Sequence, residues 1–189
     1  TTARLFDRRG VDYNILTVVT AFTAKHIAKI YAYFKREGFL YLQFIPCLDP
    51  LGTAPFEQPH SLTPSAYATF LKTLFKLYYD DFMAGRYVSI RFFDNVVNLA
   101  AGGKPEQCGL LGFCPGQLIV ESDGSVFPCD FYCTDEWRLG SIHTESILDL
   151  FRSDTMKAFM ETSLYEDPAC AACEHFALCR GGCRRNRDT

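Results

Sequence analysis

The stretch CAACEHFALCRGGC, residues 170–183, sets four thiols into fourteen residues at the spacing C-x2-C-x5-C-x3-C. Thiolates are ligands for soft metals, and four of them hold either one zinc ion or one iron-sulfur cluster, both of which use the C-x2-C element. A zinc site built wholly from Cys170, Cys173, Cys179 and Cys183 is one reading of the run. Against it stands a second group, Cys108, Cys114 and Cys129, three thiols without a fourth. In ferredoxin-type runs the last cysteine of a tight cluster often ligates the other cluster. If Cys183 crosses over in that way, one site is complete with Cys108, Cys114, Cys129 and Cys183. The other then holds Cys170, Cys173 and Cys179 and lacks one ligand.

The remaining chain must position these thiols. Of nine cysteines only Cys47 lies in the first hundred residues, and the Cys-bearing remainder is richer in Gly and Pro. That shift divides the sequence into two segments, residues 1–100 and residues 101–189. A disulfide framework is not expected, because such frameworks belong to small secreted domains with poor cores. Here 189 residues, 48 % of them hydrophobic, are enough for a real core. The formal net charge of -3 gives no basic field for nucleic acid or an anionic membrane. No apolar run approaches a bilayer span, so a soluble, cytoplasmic protein is expected. The N-terminal TTARLFDRRG is neither a signal peptide nor a plausible natural start, and the chain reads as cut from something longer.

The first segment has the grammar of a parallel α/β layer. VDYNILTVVT predicts a buried strand, and Thr23 is expected to cap a helix carrying Ile27, Ile30, Tyr31 and Phe34 until Gly38. LYLQFIPC predicts a second strand, completing a βαβ unit. After a Pro-rich polar loop, Thr63-Pro64 opens a long helix with Tyr67, Phe70, Leu71, Leu74 and Tyr78 on its apolar side, and YVSIRFF reads as a further strand. So few parallel strands cannot close a sheet alone. The second segment opens on a hairpin, QLIVESDGSVFPCD, with Asp123-Gly124 expected to form a type I′ turn that folds Cys129 back toward Cys114. WRLGSI and the short helical stretches ESILDLF and SDTMKAFMETS follow.

From Cys108 to about Arg185 the sequence resembles the SPASM domain of radical S-adenosylmethionine enzymes, specifically that of the anaerobic sulfatase-maturating enzymes. The resemblance rests on CGLLGFC, GQLIVESDGSVFPCDFY, WRLGSI and CAACEHFALCRGGCRR, while upstream QFIPCLDPLG resembles a late barrel strand of the same enzymes and its following loop. It implies an α/β fold: the C-terminal portion of a partial (β/α)6 radical SAM barrel over 1–100, then a SPASM domain over 101–189 with a β-hairpin, short helices and Cys-rich loops. It implies two auxiliary [4Fe-4S] clusters, the first on Cys108, Cys114, Cys129 and Cys183. The second is on Cys170, Cys173 and Cys179, with its remaining ligand beyond Thr189. The C-x3-C-x2-C that binds the reactive cluster is not in this sequence. The chain alone is therefore expected to be inactive, while the full-length parent, with S-adenosylmethionine, is expected to oxidise a Cys or Ser of a sulfatase peptide to formylglycine. The implied partners are that peptide or protein substrate and an electron donor protein.

Asp130 directly follows the ligand Cys129, which suits a base that removes a proton as an electron leaves. The residues alone favour a capping or paired carboxylate, whereas the resemblance makes it the catalytic base. Leu48 matches a position whose backbone contacts S-adenosylmethionine; a leucine packing the barrel mouth is the competing reading. Cys47 is expected to be a small buried hydrophobe. Cys133, four residues after Cys129, would point to the same side of a strand, and is kept as a spare thiol. His26, His60, His143 and His175 show no ligand spacing, and Arg180, Arg184 and Arg185 either stabilise an anionic cluster or face solvent. A maturase of another ribosomal peptide and a non-catalytic zinc module are the alternatives; PCDFY, with its Asp, favours sulfatase maturation over the first.

Overall fold

The computed structural model describes residues 2–164 and 167–188. They fall into two compact units divided between Lys104 and Pro105.

In the first unit a helix, α1 (Thr2–Arg9), precedes β1 (Ile15–Val19), where four of five residues are β-branched and so favour a strand. β2 (Tyr41–Pro46) lies parallel to β1, with Ile15 opposite Leu42 and Val19 opposite Pro46. Between them run two helices rather than the single expected one, α2 (Ala21–Lys25) and α3 (Ile27–Arg36), broken at His26. The cap is Thr20, not Thr23: Thr23 N–H donates to Thr20 Oγ1 at 3.2 Å and Thr20 N–H to Thr23 Oγ1 at 2.6 Å. Thr23 is thus the reciprocal partner at the third helical position of a capping box. Gly38, at φ +77°, reverses the chain toward β2.

Thr63 caps α4 (Pro64–Met83), its hydroxyl accepting from Ala66 N–H. Phe70 and Leu74 of α4 are buried, and Tyr67, Leu71 and Tyr78 pack on the same core, as their spacing predicts. The last predicted strand is shorter than expected. Only β3 (Ser89–Ile90) pairs, parallel, with Tyr41 and Leu42 of β2; from Arg91 the chain forms α5 (Arg91–Ala100). Asp94 explains the switch, since its carboxylate accepts from Ser89 Oγ at 2.5 Å and Tyr78 OH at 3.4 Å, tying the first helical turn to strand and α4 together. Val19, Leu42, Phe44, Tyr31, Phe70, Ile90 and Phe93 form one core on one face of the sheet. On the other face Leu16 and Val18 are 55 % and 48 % exposed. At the core's rim Asp81, buried, accepts from Tyr31 OH (2.8 Å), Lys35 Nζ (2.6 Å) and Arg86 Nε (2.7 Å).

The second unit has little regular structure. β4 (Ile119–Val120) and β5 (Ser125–Phe127) form the predicted antiparallel hairpin, and β6 (Gly140–Ser141) pairs with the other side of β5. Its turn is not type I′. Gly124 N–H donates to Glu121 O (2.9 Å) and Gly124 alone of the turn has positive φ, +83°. This is a three-residue loop with a left-handed glycine. Asp123 stays out of the left-handed region because its carboxylate accepts from both Ser125 N–H and Ser125 Oγ at 2.9 Å. Helices α6 (Ile147–Arg152) and α7 (Asp154–Glu161) start at Ser146 and Ser153, whose hydroxyls cap them, and bury Leu150, Met156 and Phe159. Then come two single turns, α8 (Pro168–Ala171) and α9 (Phe176–Cys179). Among the described residues no helix is long and apolar enough to cross a membrane.

Candidate metal centre

All nine cysteines are free thiols. Cys108 opens a short 3-10 turn, Cys108–Leu110, anchored by buried Leu110. Cys114 is fixed through its backbone, its N–H donating to Ser163 Oγ at 2.8 Å. Cys129 follows β5 and heads a 3-10 turn, Asp130–Tyr132; Gln117 N–H donates to Pro128 O at 3.0 Å, which folds the Cys129 end of the hairpin back toward Cys114. Cys183 precedes the last 3-10 turn, Arg184–Asn186. It packs on the Cys108 turn: a Cβ placed on Gly109 would lie 3.4 Å from the Cys183 Cβ. The left-handed residues Arg180, Gly181 and Gly182 turn the chain from α9 into that position.

The electrostatics of these four thiols are mutual. Burial pushes the Cys129 thiol up to about 12, with the neighbouring Asp130 and Cys183 adding to the rise. Burial likewise raises Cys114, reinforced by Cys183 and Cys108 and opposed by Ser163 and Arg184. It raises Cys183, reinforced by Cys108 and opposed by Arg187. Ionisation of any one of Cys114, Cys129 and Cys183 is thus disfavoured by burial and by its charged neighbours, a cost that a bound cation would offset. Among the described residues no three Cys, His, Asp or Glu side chains converge tightly enough to hold a single metal ion.

Cys170, Cys173 and Cys179 occupy two consecutive tight turns. Asp167 caps α8, accepting from Ala169 N–H, Cys173 N–H donates to Cys170 O (3.1 Å), and Cys179 N–H donates to His175 O (3.0 Å). Cys173 and Cys179 are exposed and Cys170 half-buried. Three thiols offered along ten residues are open to a ligand shared with another segment.

Asp130 is exposed and accepts from the Cys129 thiol at 3.4 Å. That bond lasts only while the sulfur keeps its proton; metal ligation removes the proton and releases the carboxylate. Leu48 lies, half-buried, just past the C-terminal end of β2, the end of a parallel strand where ligands collect. Cys47 is only partly buried, its N–H donating to Val19 O. Cys133 is not on a strand with Cys129. The intervening 3-10 turn breaks that geometry, and the Cys133 thiol points at Cys129 O (3.7 Å). His175 is exposed. Ser163, Asp188 and the surroundings of Arg184 were invisible to spacing arguments, because a hydroxyl that holds a ligand's backbone carries no sequence signature.

Residues 113–174 match SPASM, an iron-sulfur cluster-binding domain. The match contains Cys114, Cys129, Cys170 and Cys173, while Cys108, Cys179 and Cys183 flank it. The chain is 47 % identical over 188 residues to the cysteine-type anaerobic sulfatase-maturating enzyme of Clostridium novyi, and 48 % over 187 residues to that of Clostridium perfringens strain 13. These alignments take in 100 % and 99 % of this chain. The chain spans about half the length of the curated relatives it matches, 50 % in each case. A solved structure described as native anSMEcpe with bound AdoMet and Kp18Cys peptide superimposes with a TM-score of 0.95 at 47 % identity, covering 99 % of this chain and 52 % of that one. The sequence's resemblance to anaerobic sulfatase-maturating enzymes, and a mixed α/β fold with a SPASM domain, are borne out.

Proposed function

We propose, from the premise that this chain is the SPASM-bearing half of an anaerobic sulfatase-maturating radical S-adenosylmethionine enzyme, that its thiols hold two auxiliary [4Fe-4S] clusters serving formylglycine formation. Cys108, Cys114, Cys129 and Cys183 are the ligands of the first. Cys170, Cys173 and Cys179 belong to the second, which needs one further ligand. One observation carries the reading: Cys183 is turned out of its own run and packed on the Cys108 turn. The first unit is the C-terminal portion of a partial (β/α)6 barrel over 1–100, its open face of Leu16 and Val18 suited to a barrel interior. The backbone of Leu48 is a contact for S-adenosylmethionine at the barrel mouth.

When bound, the clusters would supply one-electron acceptors. The substrate is a Cys, or a Ser, of a sulfatase peptide. After its Cβ hydrogen atom has been removed, the side chain must lose one electron and the proton on its sulfur or oxygen. The exposed Asp130 carboxylate is the group that would accept that proton. The resulting carbon–oxygen double bond is the aldehyde of formylglycine; a carbon–sulfur double bond gives the same aldehyde on hydrolysis, with release of sulfide. An electron donor protein is the remaining partner, and nine cysteines without a disulfide are consistent with a cytoplasmic setting.

Anaerobic reconstitution of the chain tests the reading. Iron and sulfide should load together with a broad thiolate-to-iron absorbance, and most stably at the first site, whose four ligands are all present. Tight uptake of one zinc ion with no capacity for sulfide would reject it.

A further inference from the structure

Arg184 directly follows Cys183, and its side chain is only 12 % exposed. The guanidinium lies 5.0 Å from the ring centres of Tyr132, Trp137 and Phe159. The rings themselves meet edge-on, Phe159 standing 5.2 Å from both Tyr132 and Trp137. Three acceptors complete the box: Nε donates to Asp188 Oδ2 at 2.9 Å, and Nη1 to Thr162 Oγ1 at 2.9 Å and Phe159 O at 3.3 Å. Asp188 Oδ2 also accepts from Tyr132 OH at 2.7 Å.

Several of these partners are close in sequence to a proposed ligand or to a residue that holds one. Tyr132 closes the 3-10 turn that Cys129 heads. Thr162 precedes Ser163, whose hydroxyl holds the Cys114 N–H. Arg184 itself carries Cys183, which packs on the Cys108 turn. One side chain therefore ties together the segments of three thiols, and through Cys183 reaches the fourth. A lysine could not do this, because the box uses both the flat face of the guanidinium against aromatic rings and its forked N–H groups against separate acceptors.

We infer that Arg184 is the positioning residue that gathers the ligand set of the first cluster and places a fixed positive charge beside it. The inference rests on the cluster reading above. Outer-shell partners of this kind change metal affinity by about 10- to 100-fold when removed. The test uses the full chain carrying Cys170→Ala, Cys173→Ala and Cys179→Ala, so that any cluster sits at the first site, with R184M or R184K added. At limiting iron, R184M should lose about 10- to 100-fold in affinity for the cluster per folded chain, with folding followed by circular dichroism. The midpoint potential of whatever cluster it retains should move to more negative values, since a nearby cation favours the reduced form. R184K should restore the potential while recovering loading only in part. Loading and potential equal to the parent in both variants would overturn the inference alone. Loss fully accounted for by unfolded chain, or failure of both variants to fold, would make Arg184 a determinant of fold and overturn it equally. A parent that takes up no iron and sulfide would sink the cluster reading and this inference with it.

Discussion

The two units are stabilised in different ways. In the first, long helices press Phe70, Leu74, Ile27 and Tyr31 onto the parallel strands, and one continuous apolar core results. In the second, among the described residues, no strand exceeds three residues, no helix exceeds eight, and the buried apolar side chains are spread among Leu110, Val126, Phe127, Leu150, Met156 and Phe159. Polar ties reinforce them: Arg184 in its aromatic box, Arg187 on the carbonyls of Gly181 and Ser163, Ser163 on Cys114. Burying apolar area stabilises a unit whatever it binds, whereas a set of thiols stabilises only when a metal joins them. The contrast teaches that structure and chemistry are separable: the first unit supplies a frame, and on the proposed function the second is organised around its clusters.

Predictions can break or sharpen this contrast. The largest effect is chemical. On the proposed function, Asp130→Asn in the full-length parent should lower formylglycine production by roughly 10²- to 10⁴-fold, the usual weight of a positioned acid-base group. Deuterium from labelled substrate should still reach 5′-deoxyadenosine, and both clusters should remain, because exposed Asp130 is not a ligand. Product at the wild-type level would remove Asp130 from catalysis, and loss of iron would make it structural.

Chelating iron from the loaded chain should separate the units next. Amide exchange across 108–114, 125–133 and 180–188 should accelerate by roughly 100-fold, the effect of removing a ligand present at a hundred times its dissociation constant. Exchange in α4 and β2 should not change. Equal acceleration in both units would mean that the first also depends on the metal.

Asp81→Asn is the converse experiment, a stability loss without a metal effect. Breaking a buried ion pair typically costs about 3–5 kcal/mol, and because Lys35 and Arg86 reach water the expected loss is about 3 kcal/mol, read from denaturant unfolding of the first unit. Burial works against the Asp81 charge, but hydrogen bonds from Lys35, Arg86 and Tyr31 outweigh it and hold the carboxyl below its ordinary value. A lowered folded-state value adds stability that is complete above the unfolded-state value of about 3.9 and is lost as pH falls through the folded one. The wild type should therefore lose stability below about pH 4 more steeply than the Asn variant. The smallest effect is expected at the hairpin. Gly124→Ala, at φ +83° and with its new methyl directed at the His143 ring, should cost about 1–2 kcal/mol in the second unit. Thermal melts of the iron-free chain will read it most clearly.

Much of the first unit could be read from periodicity, because helical spacing in Tyr67, Phe70, Leu71, Leu74 and Tyr78 follows from the core they must face. Its errors were local contests. Thr20 and Thr23 are chemically equivalent caps, and only the direction of the chain leaving β1 decides between them. YVSIRFF satisfies strand and helix alike, and the carboxylate of Asp94, reaching back to Ser89, tips it to helix after two residues. The type I′ turn failed for a similar reason, since Asp123 prefers to hydrogen-bond Ser125 rather than adopt positive φ.

For the site, residue types and spacing pointed to metal chemistry for these thiols and to Cys183 as the member able to cross over, because ligand chemistry is written in side-chain identity and local separation, while the ligand set and the role of Asp130 came from the family resemblance. Which thiols come together was decided only by tertiary structure. Cys108 and Cys183 are far apart in the chain, and their meeting depends on left-handed turns at Arg180 to Gly182 and on Arg184 held by Tyr132, Phe159 and Asp188. Those contacts join residues remote in sequence and of ordinary type. No local pattern encodes them, since they exist only once the chain has folded.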